Sequence, residues 1–224
     1  MHFLGMSHPF KANQTLLFIG DSITDCGREY PVGQRSWSSL GGGYVSFVDS
    51  ILGAVIPETP ISVLNTGISG NRVTDLEARW QTDVLDLEPN WLSVMVGIND
   101  VWRQFDAEPG TKQVEPEQYE LVYRSVLAKT RPQLNGLVLM TPYFLERNRE
   151  DPMRVKMEAY GAITKKLAVE FDAIFVDTQL AFDHYLRHQP TESLCADRVH
   201  PNAVGHMILA RAFLSAVGVS WKSD

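Results

Sequence analysis

The sequence predicts an α/β protein, a three-layer α/β/α sandwich around a central five-stranded parallel sheet. Three observations carry the prediction. Five short runs are apolar at successive rather than alternate positions, as in strands covered on both faces. The stretches between them change to a helical period, and strands alternating with helices through right-handed crossovers build parallel sheets. No linker, repeat or low-complexity stretch interrupts the 224 residues, so a single domain over 1–224 is expected.

The first predicted strand is 16–19. In 44–55, Tyr44, Phe47, Val48, Ile51, Leu52 and Val55 share one helical face, and Pro57 ends the element. The second strand, 61–64, precedes Thr74-Asp75-Leu76-Glu77, which reads as a capping box opening a helix that turns Leu76, Trp80, Val84 and Leu87 inward before Pro89. After the third strand, 91–96, Tyr119, Val122, Tyr123, Val126 and Leu127 repeat the helical pattern up to Pro132. The fourth strand is 137–140, Tyr160, Ile163, Leu167 and Phe171 mark a further helix, and the fifth strand is 174–176. A largely apolar segment, 203–217, makes a last buried helix that stops at Gly218. Two connections are long, 21–43 and 141–152, and long loops in compact domains tend to be functional.

Composition narrows the function. Lys and Arg number 20 against 27 Asp and Glu, a formal charge of −7, which argues against nucleic acid or an anionic membrane as partner. No run approaches the ~18 apolar residues of a membrane span, and the first residues lack the basic start and apolar stretch of a signal peptide. Cys26 and Cys195 are too few for a disulfide framework and fit a reducing compartment, so a cytoplasmic location is expected.

Ligands of open α/β sheets bind outside the carboxyl ends of the strands. There the sequence places Gly20-Asp21-Ser22-Ile23-Thr24-Asp25 after the first strand, Asn65-Thr66-Gly67-Ile68-Ser69-Gly70-Asn71 after the second and Gly97-Ile98-Asn99-Asp100 after the third. Asp197-Arg198-Val199-His200-Pro201 follows some way after the fifth. Taken singly these read as a helix cap, a tight turn and an Asx turn. Taken together they supply what ester hydrolysis needs: a nucleophile, a base, a group to orient the base, and donors for the developing oxyanion. Ser22 is the candidate nucleophile, His200 the base, and Asp197, three residues before it, the partner of the imidazole Nδ1–H. The candidate oxyanion donors are the Ser22 and Gly70 N–H groups and the Asn99 amide.

These segments resemble the blocks of the SGNH, or GDSL-type, hydrolases, in the family's order over almost the whole chain. The resemblance implies a flavodoxin-like sandwich, with Ser22 as nucleophile, Gly70 and Asn99 as oxyanion donors, His200 as base and Asp197 as its partner. The wider wording, 18–27, 97–104 and 197–201, is most similar to the intracellular acetylxylan esterase branch. That implies removal of acetyl groups from xylo-oligosaccharides by a ring-like homo-oligomer, without a cofactor. One departure is Ala196, which stands where that branch carries Trp before the catalytic Asp.

Other readings are open to test. An α/β-hydrolase would need Gly-x-Ser-x-Gly, which Gly20-Asp21-Ser22-Ile23-Thr24 does not complete; Ser69 reads as a turn residue. A small-acyl lysophospholipase or thioesterase of the GDSL type is an alternative substrate class. A non-catalytic flavodoxin-like ligand-binding domain would use Ser22 and Thr24 as donors but leaves Asp197 and His200 unexplained. No zinc motif is present: His184 and His188 read as a solvated helix face, His2 and His8 as parts of the terminus, and His206 as a buried, satisfied side chain. Cys26, with no base evident nearby, reads as packing. Asp21, Trp37, Trp102, Arg103, Tyr143 and Phe144 are candidates for sugar binding, and the aromatics among them could instead seal the core or a subunit interface.

Overall fold

A computed structural model describes residues 8–32, 39–106, 108 and 110–219. The five strands are β1 (Gln14–Gly20), β2 (Ile61–Asn65), β3 (Trp91–Met95), β4 (Gly136–Met140) and β5 (Ile174–Val176). They lie in the order β2-β1-β3-β4-β5, and every neighbouring pair is parallel. All five fall on the predicted runs. Among them β3 and β4 are buried throughout and β1 nearly so, whereas the edge strands β2 and β5 are partly exposed. A strand covered on both faces has no polar side to alternate with, which is why the inner strands read as continuous apolar runs.

The helices are α1 (Ser22–Asp25), α2 (Tyr44–Val55), α3 (Val73–Asp83), α4 (Ile98–Asp106), α5 (Pro116–Thr130), α6 (Pro152–Glu170), α7 (Thr178–Leu186) and α8 (Ala203–Ala216). The chain steps one way from β1 to β2 and back past β1 to β3, so right-handed crossovers put the two connecting helices on opposite faces. Accordingly α2 packs on α8 and α8 on α7, while α3 packs on α5 and α5 on α6. The strand order reverses between β1 and β3, where open α/β sheets bind ligands. Gly20, the last residue of β1, pairs there with Met95, and a Cβ on it would fall 2.4 Å from both the Met95 carbonyl oxygen and Thr24 Oγ1.

Three expectations need correction. The third helix starts at Val73 with Arg72 as its cap, not at Thr74. Asp75 Oδ2 accepts the Arg72 N–H at 2.8 Å, and Asp100, from α4, takes the Val73 N–H at 3.1 Å. Asp75 and the tertiary carboxylate of Asp100 together therefore place the cap two residues earlier than Thr74. Second, the long connection after β1 opens with α1, and α4 follows β3 directly, although neither carries a long apolar stripe. Third, the first part of the loop after β4 is internal: Tyr143, Phe144 and Leu145 are buried, and they support the 191–201 segment through Tyr143 Oη to Val199 O (3.0 Å), Leu145 N–H to Arg198 O (2.9 Å) and Thr191 Oγ1 to Leu145 O (2.9 Å).

Candidate active site

The turn after β1 is built by Asp21. Its carboxylate accepts the Ile23 N–H at 3.0 Å and its carbonyl accepts the N–H groups of Thr24 (3.1 Å) and Asp25 (2.8 Å). This starts α1 with Ser22 as its first residue, and Cys26, at φ +41, ends it one turn later. Burial pushes the Asp21 carboxyl up to about 7, against the Ile23 N–H and the nearby His200, which pull it down.

Ser22 Oγ lies 2.8 Å from His200 Nε2, and His200 Nδ1 lies 2.6 Å from Asp197 Oδ2. The other Asp197 oxygen accepts the N–H groups of Val199 (3.0 Å) and His200 (2.9 Å), so the three-residue spacing orients the carboxylate by local bonds. Burial works to raise the Asp197 carboxyl, but the His200 side chain and these two amides outweigh it and hold it below the usual carboxylate range. A charged carboxylate at Nδ1 keeps the proton on that nitrogen and leaves Nε2 to accept from the serine hydroxyl.

Ser22, Gly70 and Asn99 line one cavity of about 530 Å³ together with Trp102, Arg103 and His200. Gly70 sits at φ +83, a left-handed conformation that favours glycine, and offers its backbone without a side chain in the way. One Asn99 N–H is spent on the Asn71 carbonyl, with Nδ2 at 3.1 Å, which leaves the amide a second donor. Asp100, next in the chain, is buried, and that burial pushes its carboxyl up to about 7 despite the Val73 N–H.

Of the candidate sugar-binding residues, the cavity retains two. The Trp102 ring centroid is 5.9 Å from that of His200, and the Arg103 guanidinium lies 4.7 Å over the Trp102 ring while pairing with Asp106. Asp21 does not line the cavity, being buried and bonded within the turn. Nor do Tyr143 and Phe144: Tyr143 is buried against Phe182, with ring centroids 4.4 Å apart, and Phe144, next in the chain, is buried as well. Trp37 lies outside the described residues.

Cys26 faces a base after all. Its Sγ is 3.5 Å from His206 Nε2, a residue 180 positions away. His206 Nδ1 accepts the Tyr44 N–H at 3.2 Å, so the ring proton sits on Nε2 and points at sulfur. Burial, followed by the charge of His200, lowers His206 to about 4, and burial raises the Cys26 thiol. A neutral histidine donating to a thiol does not make a thiolate, and the packing reading of Cys26 stands. Ser69 does more than turn the chain, since its N–H and hydroxyl both bond Asp25 Oδ2, at 3.0 and 2.7 Å. Asp25 belongs to the first motif, but nothing in local spacing connects it to Ser69.

Residues 18–208 match the GDSL-like Lipase/Acylhydrolase family. The chain is 51% identical to an acetylxylan esterase of Geobacillus stearothermophilus over 211 residues, 94% of this chain and 96% of that one. A crystal structure of the Geobacillus enzyme superposes with a TM-score of 0.93 at 50% identity, covering 96% of this chain and 99% of that one. Its solved forms include catalytic mutants at a serine, an aspartate and a histidine. A thioesterase 1/protease 1/lysophospholipase L1 of Escherichia coli is 28% identical over 199 residues, 85% of this chain and 77% of that one.

Proposed function

The chain belongs to the GDSL-like lipase/acylhydrolase family and is a carboxylic ester hydrolase, and from that premise we propose that it deacetylates acetylated xylo-oligosaccharides through an acetyl-Ser22 intermediate. The single observation that carries the mechanism is the continuous chain from Ser22 Oγ to His200 to Asp197. Ser22 Oγ attacks the acetyl carbonyl while His200 Nε2 takes its proton, and Asp197 stabilises the imidazolium. The carbonyl oxygen, now negative, receives the N–H groups of Ser22 and Gly70 and the free N–H of Asn99. His200 then returns the proton to the departing sugar oxygen, which leaves the acetyl group on Ser22. Water, deprotonated by His200, repeats the sequence and releases acetate.

The acetylxylan reading is supported by identity across nearly the whole length of the Geobacillus esterase, whose catalytic mutants fall on the same three residue types. Trp102 offers an aromatic face beside His200, where a sugar hydroxyl would leave. A homo-oligomer in the cytoplasm completes the proposal. Among the described residues no helix is long and apolar enough to cross a membrane, and both cysteines are unpaired. The test is acetate release from xylo-oligosaccharides of known acetylation pattern, followed by NMR. Acetate should appear without xylose, and Ser22→Ala should lose at least about 10³-fold in kcat. A Ser22→Ala variant that retains activity would sink the assignment of the nucleophile.

A further inference from the structure

We infer that Asp25 is a positioning residue for the oxyanion hole: by gripping both donors of Ser69, it sets the Gly70 N–H against the Ser22 nucleophile. The inference rests on the reading of Gly70 as an oxyanion donor. Ser22 and Gly70 belong to separate stretches of chain, the turn after β1 and the loop after β2. A group displaced by about 1 Å from its productive position costs on the order of 10² in rate, so something must hold the two in register.

The base of the loop is sewn to the turn by one backbone and two side-chain bonds. The Ile68 N–H bonds Gly20 O at 3.1 Å, Asn65 Nδ2 bonds Thr24 O at 2.7 Å, and Arg28 Nε bonds Gly67 O at 2.7 Å. The approach is so close that a Cβ at Gly67 would fall 2.3 Å from Asp25 N. These bonds end at residue 68. Beyond it the chain turns through Gly70 at φ +83, where the backbone has most freedom.

The Asn71 N–H closes the turn on Ile68 O at 3.2 Å, Arg79 ties the Asn71 side chain to Thr66 O and Gly20 O, and further braces stand on either side. On the far side, Asn99 Nδ2 holds Asn71 O and Asp100 holds the Val73 N–H. On the near side, Asp25 Oδ2 accepts the Ser69 N–H at 3.0 Å and the Ser69 hydroxyl at 2.7 Å. Ser69 and Gly70 line the cavity, whereas Asp25 is 8% exposed behind them, so its effect on substrate must pass through Ser69. Charge-assisted bonds of this kind are roughly twice as strong as neutral ones, which suits a carboxylate to the task.

The experiment compares Asp25→Ala, Asp25→Asn and Ser69→Ala in the full chain, with Ser22→Ala as control. The readouts are kcat and KM on p-nitrophenyl acetate, affinity for methylboronic acid, whose tetrahedral serine adduct places an oxygen in the oxyanion hole, and thermal unfolding. Asp25→Ala should lower kcat by about 10- to 100-fold with KM changed less than about threefold, and should weaken boronate binding by a similar factor. Asp25→Asn, which keeps an acceptor for the Ser69 N–H, should recover to within about fivefold of wild type. Ser69→Ala loses only the hydroxyl bond at an exposed position and should keep its melting temperature while kcat falls by about three- to tenfold. If Asp25→Ala does not fold, Ser69→Ala decides: wild-type kcat and boronate affinity in that variant overturn the inference. A loss confined to KM, or an Asn variant no better than Ala, overturns it as well. Activity surviving in Ser22→Ala would instead bring down the reading of the site itself.

Discussion

The imidazole of His200 stands between two partners, 2.8 Å from Ser22 Oγ and 2.6 Å from Asp197 Oδ2. Replacing Asp197 with Asn puts an amide at Nδ1, which can offer that nitrogen a proton and so leave Nε2 protonated, unable to accept from serine. Asp197→Asn should therefore lower kcat by about 10⁴-fold with little change in fold, checked by steady-state kinetics and circular dichroism. An activity near wild type would show that the tautomer is set otherwise. In the proposed mechanism Asn99→Ala removes a donor needed only once the oxyanion forms, so kcat should fall by about 10²- to 10³-fold at nearly constant KM. An effect on KM alone would make Asn99 a ground-state contact. The Asp197–His200 pairing was legible in the sequence because Asp-x-x-His orients itself with bonds two and three residues long. The Asp25–Ser69 and Cys26–His206 pairs were not, being 44 and 180 positions apart, and they exist only once β1, β2 and α8 are assembled.

At the scale of elements, α8 caps α2. Gly43, the residue before α2, has no side chain to offer, because a Cβ there would fall 2.7 Å from Cys26 Cβ and 3.0 Å from His206 Cε1. His206 supplies the acceptor instead, through Nδ1 to the Tyr44 N–H. It does so only while neutral. With a folded pKa of about 4 against an ordinary 6.5, its contribution is present above pH 6.5 and is lost as pH falls toward 4. Asp21 and Asp100, raised to about 7, run the other way: their contribution is whole below about 4 and fades as pH rises to 7. A difference between variants separates the two trends. His206→Gln keeps an acceptor for Tyr44 but does not titrate, so the stability of wild type relative to this variant should drop on the order of 2–3 kcal/mol from pH 7 to 4.5 in urea denaturation. An equal difference at both pH values would remove His206 from the acid limb. The strands were readable as apolar runs, whereas α1 and α4 were not. Four residues are too few for a period, and α4 buries Ile98, Asn99, Asp100 and Val101 in succession at its start while leaving Trp102 half-buried and Phe105 exposed, which makes no apolar stripe.

For the whole molecule, the sheet order puts Ser22 and Asn99 on either side of the strand reversal, and α8 and the buried residues 143–145 after β4 bring Asp197 and His200 over the same edge. What such a site accepts depends on its surroundings. Among the described residues of the two long loops, whose charges by sequence alone suit a hydrated ligand, several are occupied within the protein: Asp25 with Ser69, Arg28 with Gly67, and Glu146 and Asp151 with Arg198. The preference for a sugar therefore falls to the cavity itself, about 530 Å³ with Asn99, Arg103, His200 and the half-buried Trp102 on its walls. An extended acyl groove would gain about 0.8 kcal/mol, close to fourfold in kcat/KM, for each methylene it buries. The polar donors around Ser22 give a lengthening chain no comparable return. On p-nitrophenyl esters kcat/KM should accordingly be highest for acetate and fall steeply by butyrate, with acetylated xylo-oligosaccharides deacetylated under the same conditions. A profile climbing from acetate to octanoate, or activation at lipid droplets, would favour the lysophospholipase or thioesterase alternative and leave the serine mechanism in place.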